Sequence, residues 1–185
     1  GVGITDIVSN NVGTAYTIFT DHDHGLNRIT KPVIDNPGAG YGDGSSTIQY
    51  FYNATLENTG SGSIGRNATA LVTIDGTSTG EIIDIAIMDG GSAFIEGDTF
   101  RVVGIATTTG FSVATGSVTK TYNNLGDVIS VSGINDFDGR SFNSDYKITS
   151  VPAINEVEVV PLAATSPGIT TVGLGNVVSD PGSFS

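Results

Sequence analysis

The stretch Gly80-Glu-Ile-Ile-Asp-Ile-Ala-Ile-Met-Asp-Gly-Gly-Ser-Ala-Phe-Ile-Glu-Gly-Asp-Thr-Phe100 holds the pattern on which the fold turns. Ile83, Ile85 and Ile87 alternate with Ile82, Asp84 and Ala86, the period of two of a β-strand with one more strongly apolar face. Asp89-Gly90-Gly91 then predicts a break in the strand. Glycine enters the positive-φ region without steric cost, and an Asp side chain can bond the backbone two residues on. Phe94, three residues after Gly91, is placed to cap a core, and a second strand follows at Thr99 to Val103.

Sliding the chain against itself finds this unit again. Ile4 to Tyr16 and Ile29 to Tyr41 align with Ile82 to Phe94, the aromatic falling 12 positions after the first Ile each time. Asn11, Asn36 and Asp89 coincide, as do Gly13, Gly38 and Gly91. A looser fourth copy runs from Val128 to Phe142, with Asn135 and Gly139 in its turn. The copies start at residues 4, 29, 82 and 128, at intervals of 25, 53 and 46. Such irregular spacing argues for duplicated β-modules with insertions, not a strict solenoid. Tyr16, Tyr41, Phe94 and Phe142 are the expected plugs, and the Asx and glycine positions are the expected turns.

Composition sets the frame. The 185 residues are 38% hydrophobic and only 14% charged, with 26 glycines and no cysteine. Enough apolar surface is present to offset chain entropy, and the polar surface is mostly Ser, Thr, Asn and Gly, a composition common in extracellular and virion β-proteins. A net charge of −12 opposes nucleic-acid phosphate. No apolar run approaches the ~20 residues of a spanning helix, so membrane insertion is not expected. Without cysteine there is neither a disulfide framework nor a thiolate metal site. A first residue of Gly1 in place of Met predicts a processed chain or, more readily, a piece of something longer.

The fold class expected is all-β: duplicated Gly-rich β-hairpin modules forming small sandwiches or barrels, with a longer or trimeric fibre-like assembly as the wider setting. The Gly/Ser/Asn loop from Glu57 to Arg66 marks the expected boundary. It divides the chain into an N-terminal β-module at 1–56 and a central one at 57–162, each with two copies, and a Gly/Ser/Pro-rich tail at 163–185. The tail is expected to be a linker, or an arm that adds to a neighbouring subunit's sheet edge. Pro32 lacks a backbone donor, so the strand that holds it should be an edge or end.

Candidate chemistry is sparse. In an extended segment His22 and His24 would point to one side, as a pair of imidazole ligands for iron or another first-row metal does. Two ligands do not close a site. A symmetric trimer would close it on its axis, or a carboxylate would assist; a solvated loop, with no cofactor, is the plainer expectation. Asp21, Asp23 and Gly25, like Asp136, Asp138 and Gly139, lack the terminal Glu of a calcium loop and are expected to be acidic turns. No Gly-x-Ser-x-Gly elbow is present, and no catalytic residue is assigned. A polysaccharide-cleaving enzyme would need two carboxylates about 5–10 Å apart in a groove. Tyr50, Phe51 and Tyr52 lie in an aromatic strand, read first as core or interface and second as a sugar-stacking platform. Asn53-Ala-Thr55 and Asn67-Ala-Thr69 have the form of glycosylation acceptors.

Several segments taken together carry a resemblance: His22-Asp-His-Gly-Leu-Asn-Arg28, Asn36-Pro-Gly-Ala-Gly-Tyr-Gly42, Asn53-Ala-Thr-Leu56, Met88 to Asp98, Ala106 to Phe111, and Asn124 to Gly133. In their order they resemble the large repetitive virion structural proteins of contractile-tailed marine cyanobacterial phages, over roughly residues 1–150. The central copy departs from the Gly-Gly-Ser-Gly-Tyr form of such repeats by having Ala93 and Phe94. The resemblance implies a non-enzymatic component of the tail, baseplate or a tail fibre, located in the virion and outside the host cell. It implies other virion proteins as partners, with a homo-oligomer, a trimer first, as the assembly. A receptor- or carbohydrate-binding adhesin contacting host-surface glycan is the alternative.

Overall fold

The computed structural model of the chain describes residues 2–11, 15–77, 79–134, 142–162 and 171–179. The described residues are all-β. In chain order the strands are β1 (Val2–Asn11), β2 (Ala15–Thr20), β3 (Arg28–Asn36), β4 (Ala39–Tyr41), β5 (Gln49–Asn58), β6 (Arg66–Ile74) and β7 (Ile82–Ser92). After them come β8 (Thr99–Val103), β9 (Thr107–Ser112), β10 (Thr115–Tyr122), β11 (Val128–Val131), β12 (Ser144–Ala153), β13 (Glu156–Pro161) and β14 (Thr171–Ser179).

The chain forms two compact units, Gly1–Leu26 with Asn123–Ser185, and Asn27–Tyr122. The second is an insertion into the first. This differs from the expected modules 1–56 and 57–162, because residue 56 lies within β5 and Leu56 pairs with Ala68 of β6 across the expected boundary. The Gly/Ser loop there is a hairpin connection inside one sheet. Loop composition reports where a chain turns, not whether a domain ends there.

In the first unit an antiparallel sheet of order β11-β12-β13-β2-β1-β14 is nearly closed, its edge strands β11 and β14 approaching each other. Ile7, Tyr16, Ile18, Phe142, Tyr146, Ile148, Val157 and Val159 fill it. Tyr16 meets Phe142 edge-to-face at 5.7 Å and Tyr146 at 6.1 Å. The Tyr146 hydroxyl donates to Phe142 O at 3.0 Å, so the buried ring leaves no polar tip unpaired. The expected tail departs from its description: residues 171–179 form β14, which pairs antiparallel with β1 of the same chain (Ile4 with Val177, Val8 with Thr171). Its Val and Thr content suits a strand, and the chain's own sheet edge takes it up.

In the second unit the order is β3-β10-β8-β5-β6-β7, beside a small β4-β9 pair. β3, which holds Pro32, is an edge strand, where a missing donor is tolerated. The sheet curls until β3 and β7 lie alongside, bridged at both ends: Ile82 N–H donates to Pro37 O at 3.1 Å and Phe94 N–H to Asn27 O at 2.9 Å. Tyr41, Leu56, Val72, Ile74, Ile82, Phe94, Phe100 and Val102 fill the core.

Strand β7 corrects two expectations. It runs through Asp89-Gly90-Gly91 without breaking, and it bulges twice. Ile74 pairs with Ile82 and Thr73 with Asp84, so Ile83 is an extra residue; Ala70 pairs with Ile87 and Thr69 with Asp89, so Met88 is another. Each bulge shifts the side-chain phase by one. Ile82, Ile85 and Ile87 therefore face the core, and Ile83 is 53% exposed.

The repeated turn is built alike in the two copies that are described throughout. Gly38 N–H donates to Asn36 Oδ1 at 3.0 Å, and Gly91 N–H to Asp89 Oδ1 at 2.9 Å. The glycine φ values are 65° and 64°, and a Cβ at Gly91 would come within 2.2 Å of Arg66 O. Two residues on, Gly40 and Ala93 again have positive φ, 71° and 58°. Tyr41 and Phe94 then enter the core, Phe94 at 0% exposure. In the other copies Tyr16 and Phe142 are buried as expected, while Gly13, Asn135 and Gly139 lie outside the described residues. Asn11 ends β1.

Candidate functional site

The outer face of β5, β6, β7 and β8 carries exposed aromatic, hydroxyl, amide and charged side chains together. It starts from the alternation at the head of β5. Ile48, Tyr50 and Tyr52 point out, the tyrosines 60% and 67% exposed, while Phe51 packs against the core. The three aromatics thus do not share a face, as a period of two dictates.

Asn53 breaks the phase. With φ 59° it sits in a bulge between Phe51 and Ala54, and its N–H reaches Met88 Sδ at 3.5 Å. Asn tolerates this left-handed region better than most residues. Beyond the bulge Ala54 and Leu56 are buried, and Thr55 and Glu57 point outward. On β6 the second Asn-Ala-Thr repeats the arrangement: Asn67 has φ 66°, Ala68 is buried, and Thr69 pairs directly with Thr55. The two triplets are explained as paired backbone devices, each with a left-handed Asn, a small inward Ala and an outward Thr. In the sequence they had only the form of glycosylation acceptors, and their spacing alone does not reveal that they pair.

Strand pairing orders the face in rows. Tyr50 stands beside Thr73 and Asp84; Leu71 pairs with Ala86 in the next row, on the Tyr52 side; Thr55 lies between Val103 and Thr69; Glu57 lies beside Arg101. The lower rows border a cleft of about 490 Å³ lined by Thr55, Glu57, Asn58, Arg66, Asn67 and Thr69. Arg101 Nε donates to Glu57 Oε2 at 2.7 Å, both side chains about half exposed. That hydrogen bond, with the guanidinium charge, holds the Glu57 carboxyl below the usual range. A carboxylate kept ionised suits accepting hydrogen bonds, not giving a proton as a general acid. Arg66 Nη1 donates to Gly65 O at 2.7 Å and Ser63 O at 3.3 Å, which fixes its fork at the rim. Asn58 Oδ1 accepts from Gly60 N–H at 2.9 Å, and its Nδ2 donates to Ser63 Oγ.

The histidine pair is placed differently from the expectation. The segment bends at Asp21 and His22 in place of extending, so the two rings do not face one site. His22 is 55% exposed, with Nδ1 2.5 Å from Asp21 Oδ1. His24 is only 4% exposed. Its Nε2 contacts Ala153 O at 2.6 Å, and its Nδ1 accepts from Leu26 N–H at 3.1 Å. Those partners require the Nε2–H tautomer, and burial lowers the pKa, keeping the ring neutral. Both nitrogens are therefore used, Nε2 in holding the segment to Ala153 and Nδ1 in fixing its own turn at Leu26, and a metal would have to displace one of these bonds. Asp23 Oδ1 accepts from Gly25 N–H at 2.8 Å, an acidic turn. Asp136, Asp138 and Gly139 lie outside the described residues. Among the described residues no group of three or more His, Cys, Asp or Glu gathers as a metal site requires, and no helix is long and apolar enough to cross a membrane.

Compared with known proteins, the chain matches no family model, no curated protein and no solved structure.

Proposed function

We propose that this chain is a non-enzymatic structural module of a phage particle, part of a tail, baseplate or fibre, assembling with other virion proteins as a homo-oligomer outside the host cell. The observation that carries it is where the family-like segments fall. Asn36–Gly42 and Met88–Asp98 hold the two Asx-glycine turns with matching hydrogen bonds and φ values, and their buried aromatics. Asn53–Leu56 supplies the β5 bulge. The residues that carry the resemblance are thus spent on architecture, as a structural repeat requires. The test is direct: mass spectrometry of gradient-purified particles should find peptides of this chain in fixed stoichiometry with the tail proteins. Their confinement to the soluble lysate would overturn the proposal. Light scattering of the pure chain reads its oligomeric state, for which a trimer is expected.

A second function, adhesin, is favoured by one feature: Tyr50 and Tyr52 stand exposed on a single face, where a core strand would have turned them in.

A further inference from the structure

We propose that the outer face of β5, β6 and β8 is a binding site for a neutral oligosaccharide, with Tyr50 and Tyr52 as the stacking platform and the cleft from Thr55 to Glu57 as the polar subsite. The inference rests on the adhesin function and names its ligand class and residues.

Three features point to a sugar. First, large rings left in water are costly unless covered part of the time, and adjoining exposed aromatics mark binding surfaces. Tyr50 and Tyr52 lie on one side of one strand, with partly buried Leu71 beside them and exposed Met88 near the Asn53 bulge. Second, the face continues from this apolar half into one whose chemistry is hydroxyl, amide and ionised carboxylate. Thr55 and Thr69 stand side by side, Asn67 projects from a left-handed backbone, and Glu57 is oriented by Arg101 at 2.7 Å. Sugars present this combination themselves, with apolar C–H faces and a rim of hydroxyls that both donate and accept. At a rise of about 3.3 Å per residue, Tyr50 to Glu57 spans ~20 Å, which fits a short oligosaccharide lying along the strand. Third, the ligand should be neutral. The chain carries a net charge of −12, and Asp84, Asp89 and Glu57 lie on or beside this face, so a uronate or sulfate polymer would be repelled. The cations on this face, Arg66 and Arg101, are already hydrogen-bonded within the protein.

The test uses the intact chain on a glycan array holding neutral and acidic oligosaccharides, followed by calorimetric titration with the best neutral binder. Binding of at least one neutral oligosaccharide at up to millimolar concentration is expected. Tyr52→Ala and Tyr50→Ala should each weaken it about ten-fold. Tyr52→Phe should keep it, and Thr55→Val with Thr69→Val should weaken it without moving the melting temperature. The proposal is overturned if no neutral glycan binds, if acidic glycans bind instead, or if the tyrosine variants bind unchanged. It is equally overturned if those variants abolish self-association, which would make the face a contact between copies. Because particle incorporation is read separately, failure here leaves the structural function standing, and failure there leaves this site standing.

Discussion

At the residue scale the repeated turn is the clearest link from sequence to structure. The alignment paired Gly40 with Ala93, and both have positive φ, 71° and 58°. An alanine in the left-handed region is strained by about 1–2 kcal/mol, partly offset because glycine is more flexible when unfolded. Ala93→Gly should therefore stabilise the protein by about 0.5–1 kcal/mol in urea denaturation. Gly40→Ala should do the reverse and more, since its Cβ would lie 2.9 Å from Phe111 Cα. A destabilised Ala93→Gly would contradict this account of the turn. Phe94 is fully buried, so Phe94→Ala should cost about 3–5 kcal/mol; unchanged melting would show that it plugs nothing. These positions were legible because a left-handed turn and a core aromatic leave unambiguous residue types. The exposed Ile83 was not, because an isoleucine reads the same on either side of a bulge.

At the element scale the strands were legible and their phase was not. β8 occupies the very span expected, and the aromatic strand expected at Tyr50 to Tyr52 is β5. Bulges depend on what lies across the ladder, which a single strand's sequence does not record. Hence β7 continued through Asp89-Gly91, and β5 changed phase at Asn53. The His22–His24 segment shows the same limit: the pair was visible, but not that residues 153–156 would bury one ring. Its pH dependence follows with a definite sign. His24 has a folded pKa below its ordinary value of about 6.5. The unfolded chain thus binds a proton that the folded one refuses, and stability should fall as pH drops below about 6.5 toward the folded pKa. The depressed carboxylates Asp43, Glu57 and Asp75 lose their contribution only at lower pH, near and below the usual carboxylate range. Proton NMR should place the His24 transition below 6.5. A transition above it would contradict the buried neutral ring, and His24→Leu should flatten the stability profile between pH 5 and 7.

At the scale of the whole molecule, four copies were legible and their grouping was not. Consecutive copies were expected to share modules. In the structure Tyr16 contacts Phe142 in one core, and Tyr41 and Phe94 share the other, so the first copy partners the fourth and the second partners the third. Nesting of this kind is set by long-range pairing such as Val157 with Ile18, to which local composition is blind. The inserted unit has its own core and closes its own base: Arg28 pairs with Tyr122, its guanidinium 5.6 Å from the ring centre. It also holds the entire proposed glycan face. The most direct test is to express residues 27–122 alone beside residues 1–56. The account predicts that 27–122 melts cooperatively, shows dispersed amide NMR signals and keeps the sugar binding of the intact chain, while 1–56 stays unfolded. An unfolded 27–122, or a cooperatively folded 1–56, would contradict the nested architecture on which the site depends.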